Sequence, residues 1–260
     1  MASKKIDISL YKEAIYNNDF IFYKGLCLQP ILIKDYEDFI KTLVVLKTEK
    51  NELGQPEFVR MSELEFLVTM CAYDKRFYDG FLILMNLVSN LNEEDIIFDT
   101  NEDGKIVLKI KNVIYDKNDY LNIKRIICYQ NLYEYDDEYF DPTFKKAIED
   151  SLRLMSKNSI DIPFGSQKSA VSILTGLTDK EINHMPIIKF YDIYNKSLAL
   201  VDYKLAKASE LMGNKFKQPI EHWLYQDRES RIRRMITTQD DLNSFGLGSI
   251  EDVSSFSPKE

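Results

Sequence analysis

From Ile187 to Met212 the apolar residues fall at Ile187, Tyr191, Tyr194, Leu198, Val201, Leu205, Ala208 and Met212, in steps that alternate four and three without a break. Only an α-helix brings positions so spaced onto one stripe, so this spacing predicts a single helix over 186–212. A second row, Phe190, Ile193, Leu200, Tyr203 and Leu211, widens the stripe and predicts contacts on more than one side. Pro186 suits the first helical position, where its missing N–H is no loss, and Gly213 is the residue expected just past the last turn. At 1.5 Å per residue such a helix is about 40 Å long, enough to act as the spine of the C-terminal half.

The remainder of the chain alternates shorter patterns. Ser9 to Asn17 reads as a short helix. Phe20–Tyr23 and Leu26–Ile33 read as two strands of a hairpin turning at Lys24-Gly25, with Pro30 placing the second at an edge. Tyr36, Phe39, Ile40, Leu43 and Leu46 share one face of a helix over 34–46. Ser62-x-x-Glu65 and Thr178-x-x-Glu181 have the form of capping boxes and open two more helices. Residues 77–91 are apolar nearly all round, which predicts a central, buried helix. The runs 96–98, 106–108 and 113–115 form a β insert near 95–115, followed by helices over 119–129 and 142–157. Pro163 and Gly165 mark a boundary within 158–167, with helix resuming at Ser169. The expected fold is α+β, mainly α-helical, with small antiparallel β elements (an N-terminal hairpin and the insert) and a long C-terminal helix. The expected division is a mixed N-terminal domain over 1–157, a helical part over 158–225, and a polar, flexible tail over 226–260.

Composition narrows the function classes. A net charge of −8 repels nucleic-acid backbones and anionic membranes, and no apolar run reaches the length of a membrane span. Cys27, Cys71 and Cys128 are odd in number and scattered, which speaks for reduced, buried thiols in a cytoplasm. Sixteen Tyr and fifteen Phe supply large apolar area for a core and for interfaces.

Chemical motifs are sparse. Asp99, Asn101, Asp103 and Gly104 match the opening of a calcium loop, but position twelve is Ile110 and the flanks read as strands, so an Asp-Gly hairpin turn accounts for them. His184 and His222 lie 38 residues apart with no ligand-spaced partner, and serine nucleophile elbows and phosphate-binding loops are absent. Asp136, Asp137, Glu138 and Asp141 read as a solvated rim beside tyrosines. No metal, cofactor or catalysis is expected. The single basic cluster, Arg228, Arg231, Arg233 and Arg234, is interleaved with Trp223, Tyr225, Ile232 and Met235. Trp and Arg are the residue types that most often anchor interfaces. The expected partner-binding residues are therefore Trp223, Tyr225, Arg228, Arg231, Arg234 and Met235.

Three stretches carry a family resemblance: Gln29 to Tyr36 (QPILIKDY), Ser172 to Thr178 with Glu181-Ile182, and Lys204 to Ala208 leading to Ile220-Glu221-His222-Trp223-Leu224-Tyr225. Together they resemble tail-morphogenesis proteins of tailed bacteriophages of Gram-positive hosts, the kind known as tail assembly chaperones. The resemblance covers the two ends of the chain and leaves 47–160 uncovered. It implies a non-enzymatic protein of the host cytoplasm that binds a tape-measure or tube polypeptide during assembly, with homo-oligomerisation open. The alternative it leaves is a structural tail or baseplate component retained in the virion. The chain departs from many such chaperones in its greater size and in its β insert.

Overall fold

The computed structural model describes residues 6–51, 53, 55–133, 135, 146–148, 150–151, 162–216, 220 and 222–225. Residues 1–137 with 160–228 cluster as one compact unit, and 138–159 with 229–260 as a second. Of the second unit the described residues, 146–148 and 150–151, are helical. Every element below belongs to the first.

The fold is α+β and mainly helical, with one two-stranded and one three-stranded antiparallel sheet and a long C-terminal helix. A 3-10 turn at Ile8–Tyr11 runs into α1 (Lys12–Asn17) and the hairpin β1 (Ile21–Tyr23) and β2 (Leu26–Leu28). Then come α2 (Tyr36–Lys47), α3 (Pro56–Arg60), α4 (Glu63–Tyr73) and α5 (Lys75–Ser89). The insert follows as β3 (Ile96–Thr100), β4 (Ile106–Ile110) and β5 (Val113–Tyr115). The chain continues through α6 (Lys117–Asn131), α7 (Phe164–Thr175), α8 (Asp179–Asn183) and α9 (Ile187–Leu211), and ends its described part in a 3-10 turn at Trp223–Tyr225.

Helix α5 is central, as its composition predicts. Phe77, Phe81, Leu84, Met85 and Val88 are buried among α2, α4 and β2, although Leu82, Ile83 and Leu87 are only half-buried. Both predicted capping boxes form. Ser62 receives the Glu65 N–H at 3.2 Å while Glu65 receives the Ser62 N–H at 2.6 Å, and Thr178 with Glu181 repeats the exchange.

Four expectations need correction. The second hairpin strand stops at Leu28 instead of reaching Ile33. Pro30 has no N–H for a ladder, and its neighbours bond elsewhere. The Gln29 N–H donates to Val88 O at 2.8 Å, the Ile31 N–H to Asn131 Oδ1 at 2.7 Å, and the Ile33 N–H to Met185 O at 2.9 Å. On α2 the buried face is Phe39, Thr42, Val45 and Leu46, while Ile40 is 45% exposed. The cause is Gly80 on α5: a Cβ there would sit 3.0 Å from Lys41 O and 3.1 Å from Val44 Cγ1, so its absence draws α2 in on that side. Helix α7 starts at Phe164, five residues before Ser169, because Pro163 takes the N-cap and Gly165 is absorbed into the first turn. Pro186 likewise sits one position earlier than expected, as the N-cap of α9.

The N-terminal segment is tied down by polar side chains of α6. Both residues of the hairpin turn have positive φ, Lys24 at 45° and Gly25 at 82°, a backbone that costs a lysine energy. Buried Asp119 holds it there, accepting from Lys24 Nζ at 2.7 Å and from Tyr23 OH at 3.0 Å, and Tyr115 OH donates to Lys24 O at 3.0 Å. Asn122 Oδ1 receives the Ile6 N–H at 2.9 Å, and Arg125 donates to Ile6 O at 2.6 Å.

Candidate protein-binding surface

Helix α9 changes character halfway along. Its first turns carry the buried residues Ile187, Ile188 and Phe190, and the Ile187 N–H donates to Ile31 O at 2.9 Å. That bond and the one from Ile33 to Met185 form an isolated antiparallel bridge between Leu32 and Pro186, joining the chain's first forty residues to its longest helix. Around Phe190 the aromatic rings gather. Tyr36 stacks on Phe164 with centroids 3.5 Å apart and planes within 7°, Phe164 meets Phe190 edge-on at 5.4 Å, and Tyr191 and Tyr194 flank Phe190. The Tyr36 and Tyr191 hydroxyls share a 3.2 Å hydrogen bond. Burial, then that bond, pushes the Tyr191 phenol far above its ordinary range, so it stays neutral at any physiological pH. This end of the helix is packing, not chemistry.

Beyond Tyr194 the same stripe becomes more exposed: Leu198 is 38% exposed, Leu205 64% and Met212 83%, with Val201 half-buried between them, and Leu211 of the second row is 90% exposed. Phe216 and Leu224 are exposed as well. The Trp223–Tyr225 turn packs on the other side of the helix: the His222 ring lies 5.1 Å from the Tyr203 ring and 5.9 Å from that of Trp223, and the Leu224 N–H donates to His222 Nδ1 at 3.3 Å. Tyr203 and Leu205 are two residues apart, about 200° round the helix, so the turn leaves the apolar stripe bare.

Of the partner-binding residues expected from sequence, Trp223 lies in this turn, half-buried beside His222, and the backbone of Tyr225 closes it. Arg228, Arg231, Arg234 and Met235 lie outside the described residues, as do Asp136, Asp137, Glu138 and Asp141. Sequence reasoning did not single out Phe216, which stands alone among polar neighbours, and named Leu224 only within the family resemblance. It also passed over the buried polar face of α6, because Asp119, Asn122, Arg125 and Asn131 look like an ordinary solvated face until the N-terminal segment is laid across them.

The other motifs resolve into local structure. Asp99 pairs with Lys109 across the β3–β4 ladder, and Asn101 Oδ1 receives the N–H groups of Asp103 and Lys105 at 3.1 and 2.8 Å, closing the turn. His184 caps α8 with Nδ1 2.7 Å from Lys180 O. His184 caps α8 before α9 begins, whereas His222 packs on Tyr203, about 24 Å along α9 from Ile187, so the two share no site. Among the described residues no group of three or more His, Cys, Asp or Glu side chains is placed to hold a metal ion, and no helix is long and apolar enough to cross a membrane. The chain matches no protein-family model, no curated protein and no solved structure.

Proposed function

We propose that the chain is a non-enzymatic binding protein of bacteriophage tail assembly, which engages a tape-measure or tube polypeptide in the host cytoplasm through its C-terminal region. The observation that carries the binding role is the set of large apolar side chains left in solvent where the chain approaches its basic, aromatic segment: Phe216, and Leu224 next to Trp223 in sequence. Clustered exposed apolar groups next to Trp and Arg mark surfaces that another polypeptide desolvates. The phage setting rests on the sequence resemblance of residues 29–36, 172–178 with 181–182, and 204–208 with 220–225.

Deleting residues 226–260 removes Arg228, Arg231, Arg234 and Met235. The shortened chain is expected to keep its far-ultraviolet circular dichroism and to lose co-purification of a tape-measure or tube polypeptide, identified by mass spectrometry, from phage-producing cells. Undiminished co-purification overturns the binding role of that segment. Mass spectrometry of purified particles decides whether the protein leaves before maturation, as a chaperone does, or stays at fixed copy number as a tail component.

A further inference from the structure

We propose that the open stripe on the distal half of α9 is a homodimer interface, in which Leu198, Leu205, Leu211 and Met212 pack against the same residues of a second copy of this chain. The inference is independent of the tail-polypeptide reading, which concerns residues from Phe216 onward.

Three observations choose this occupant. The stripe repeats every 3.5 residues over eight positions, and a helix so patterned is matched by another helix of the same repeat, each side chain entering a hole between four of its partner's. Elsewhere in the chain the alternating four-three spacing breaks off sooner: α5 sustains it over Phe77, Phe81, Leu84, Val88 and Leu91, and residues 226–260, with apolar groups at Ile232, Met235, Ile236, Leu242 and Phe245, never establish it. The segment best able to fill the holes of α9 is therefore α9. Second, burial falls away along the stripe. The aromatic cluster covers Tyr191 and Tyr194, while Leu198, Leu205, Ala208 and Met212 are exposed with Val201 half-buried between them, and the Trp223–Tyr225 turn occupies the opposite side. Third, the exposure is of the right order. Leu205 and Met212 are more than half exposed and Leu198 38%, and with the flanking Leu211, Ser197, Asp202, Lys204 and Ser209 they offer a two-fold pairing at the small end of specific interfaces.

The test is molar mass by light scattering on the full chain at roughly 100 μM, a concentration suited to an interface at the small end of the specific range. The wild type is expected at twice the 30.5 kDa of one chain, and L205E at 30.5 kDa with unchanged circular dichroism. A control, I173E, alters an exposed residue of α7 and keeps the doubled mass. A wild type that is monomeric at this concentration, or an L205E that stays dimeric, overturns the proposal. Should L205E fail to fold, L205C supplies the readout: a disulfide-linked pair on a non-reducing gel, absent for I173C, supports the interface, and no linked pair overturns it. A chain ending at Tyr225 that dimerises when the full chain does not also overturns it, because the chain's own C-terminal segment then lies on the stripe.

Discussion

At the scale of single residues, the caps are where local sequence and structure agree most closely, because a capping box needs nothing from the rest of the molecule. Ser62 and Glu65 exchange hydrogen bonds with each other's backbone N–H groups at the start of α4. The N–H and hydroxyl of Ser62 hold the Glu65 carboxyl below its ordinary value of 4.5. Replacing Ser62 by Ala is expected to cost about 1 kcal/mol in chemical denaturation at pH 7. Glu65 is lowered in the folded state, so its share of this stability is fully present above the unfolded value and fades as pH falls through the folded one. The gap between wild type and E65Q should therefore narrow as pH falls below the unfolded value, and a gap that does not change with pH contradicts the assignment. The buried polar residues of α6 are the opposite case. Nothing in Asp119, Asn122 or Asn131 announces burial, since their partners at Lys24, Ile6 and Ile31 are about a hundred positions away.

Among the elements, Gly80 shows propensity giving way to packing. In isolation an alanine inside α5 is better by about 1 kcal/mol. Here its Cβ would meet the Lys41 carbonyl at 3.0 Å and Val44 at 3.1 Å, and the carbonyl is backbone that cannot swing aside. G80A is expected to push α2 off α5 and to lower stability by about 1–2 kcal/mol net, read from the urea midpoint; a stabilised variant would mean that the two helices tolerate separation. The same contact explains why α2 buries Thr42 and leaves Ile40 in solvent. Thr42 is accommodated because its hydroxyl bonds to Phe39 O at 2.7 Å and so carries no unpaired group inside.

Across the whole molecule, the decisive connection is the bridge between Leu32 and Pro186, which lets residues from both ends of the chain share one core. The start of α9 depends on Ile31, Ile33 and Tyr36 for its first hydrogen bonds and its ring contacts. A fragment spanning 162–225 is thus expected to be largely unfolded in water, giving collapsed amide proton dispersion by NMR, because a helix without its buried face is marginal. A well-dispersed spectrum would show that this part folds alone. Of the three thiols expected to be buried only Cys128 is; Cys27 and Cys71 are half-buried. Burial pushes the Cys71 thiol up to about 12, so Cys71 and Cys128 should react with a thiol reagent at pH 8 only when the chain unfolds.

The sequence by itself determined most of the helices, the capping boxes at Ser62 and Thr178, the presence of both sheets and the fold class, because apolar period and cap chemistry act over four residues or fewer; it missed the short α3 and the Asp116 cap of α6. The reach of α9 was legible for the same reason. Which half of its stripe is covered was not, because a leucine at a heptad position reads identically whether it meets a partner or water. Tertiary structure alone decided that Ile187, Ile188 and Phe190 lie in the core, that Leu198, Leu205, Leu211 and Met212 are exposed, and that the buried side of α6 is polar. Each of these depends on which distant segment arrives to satisfy a side chain, and that is a property of the packed chain, not of any window along it.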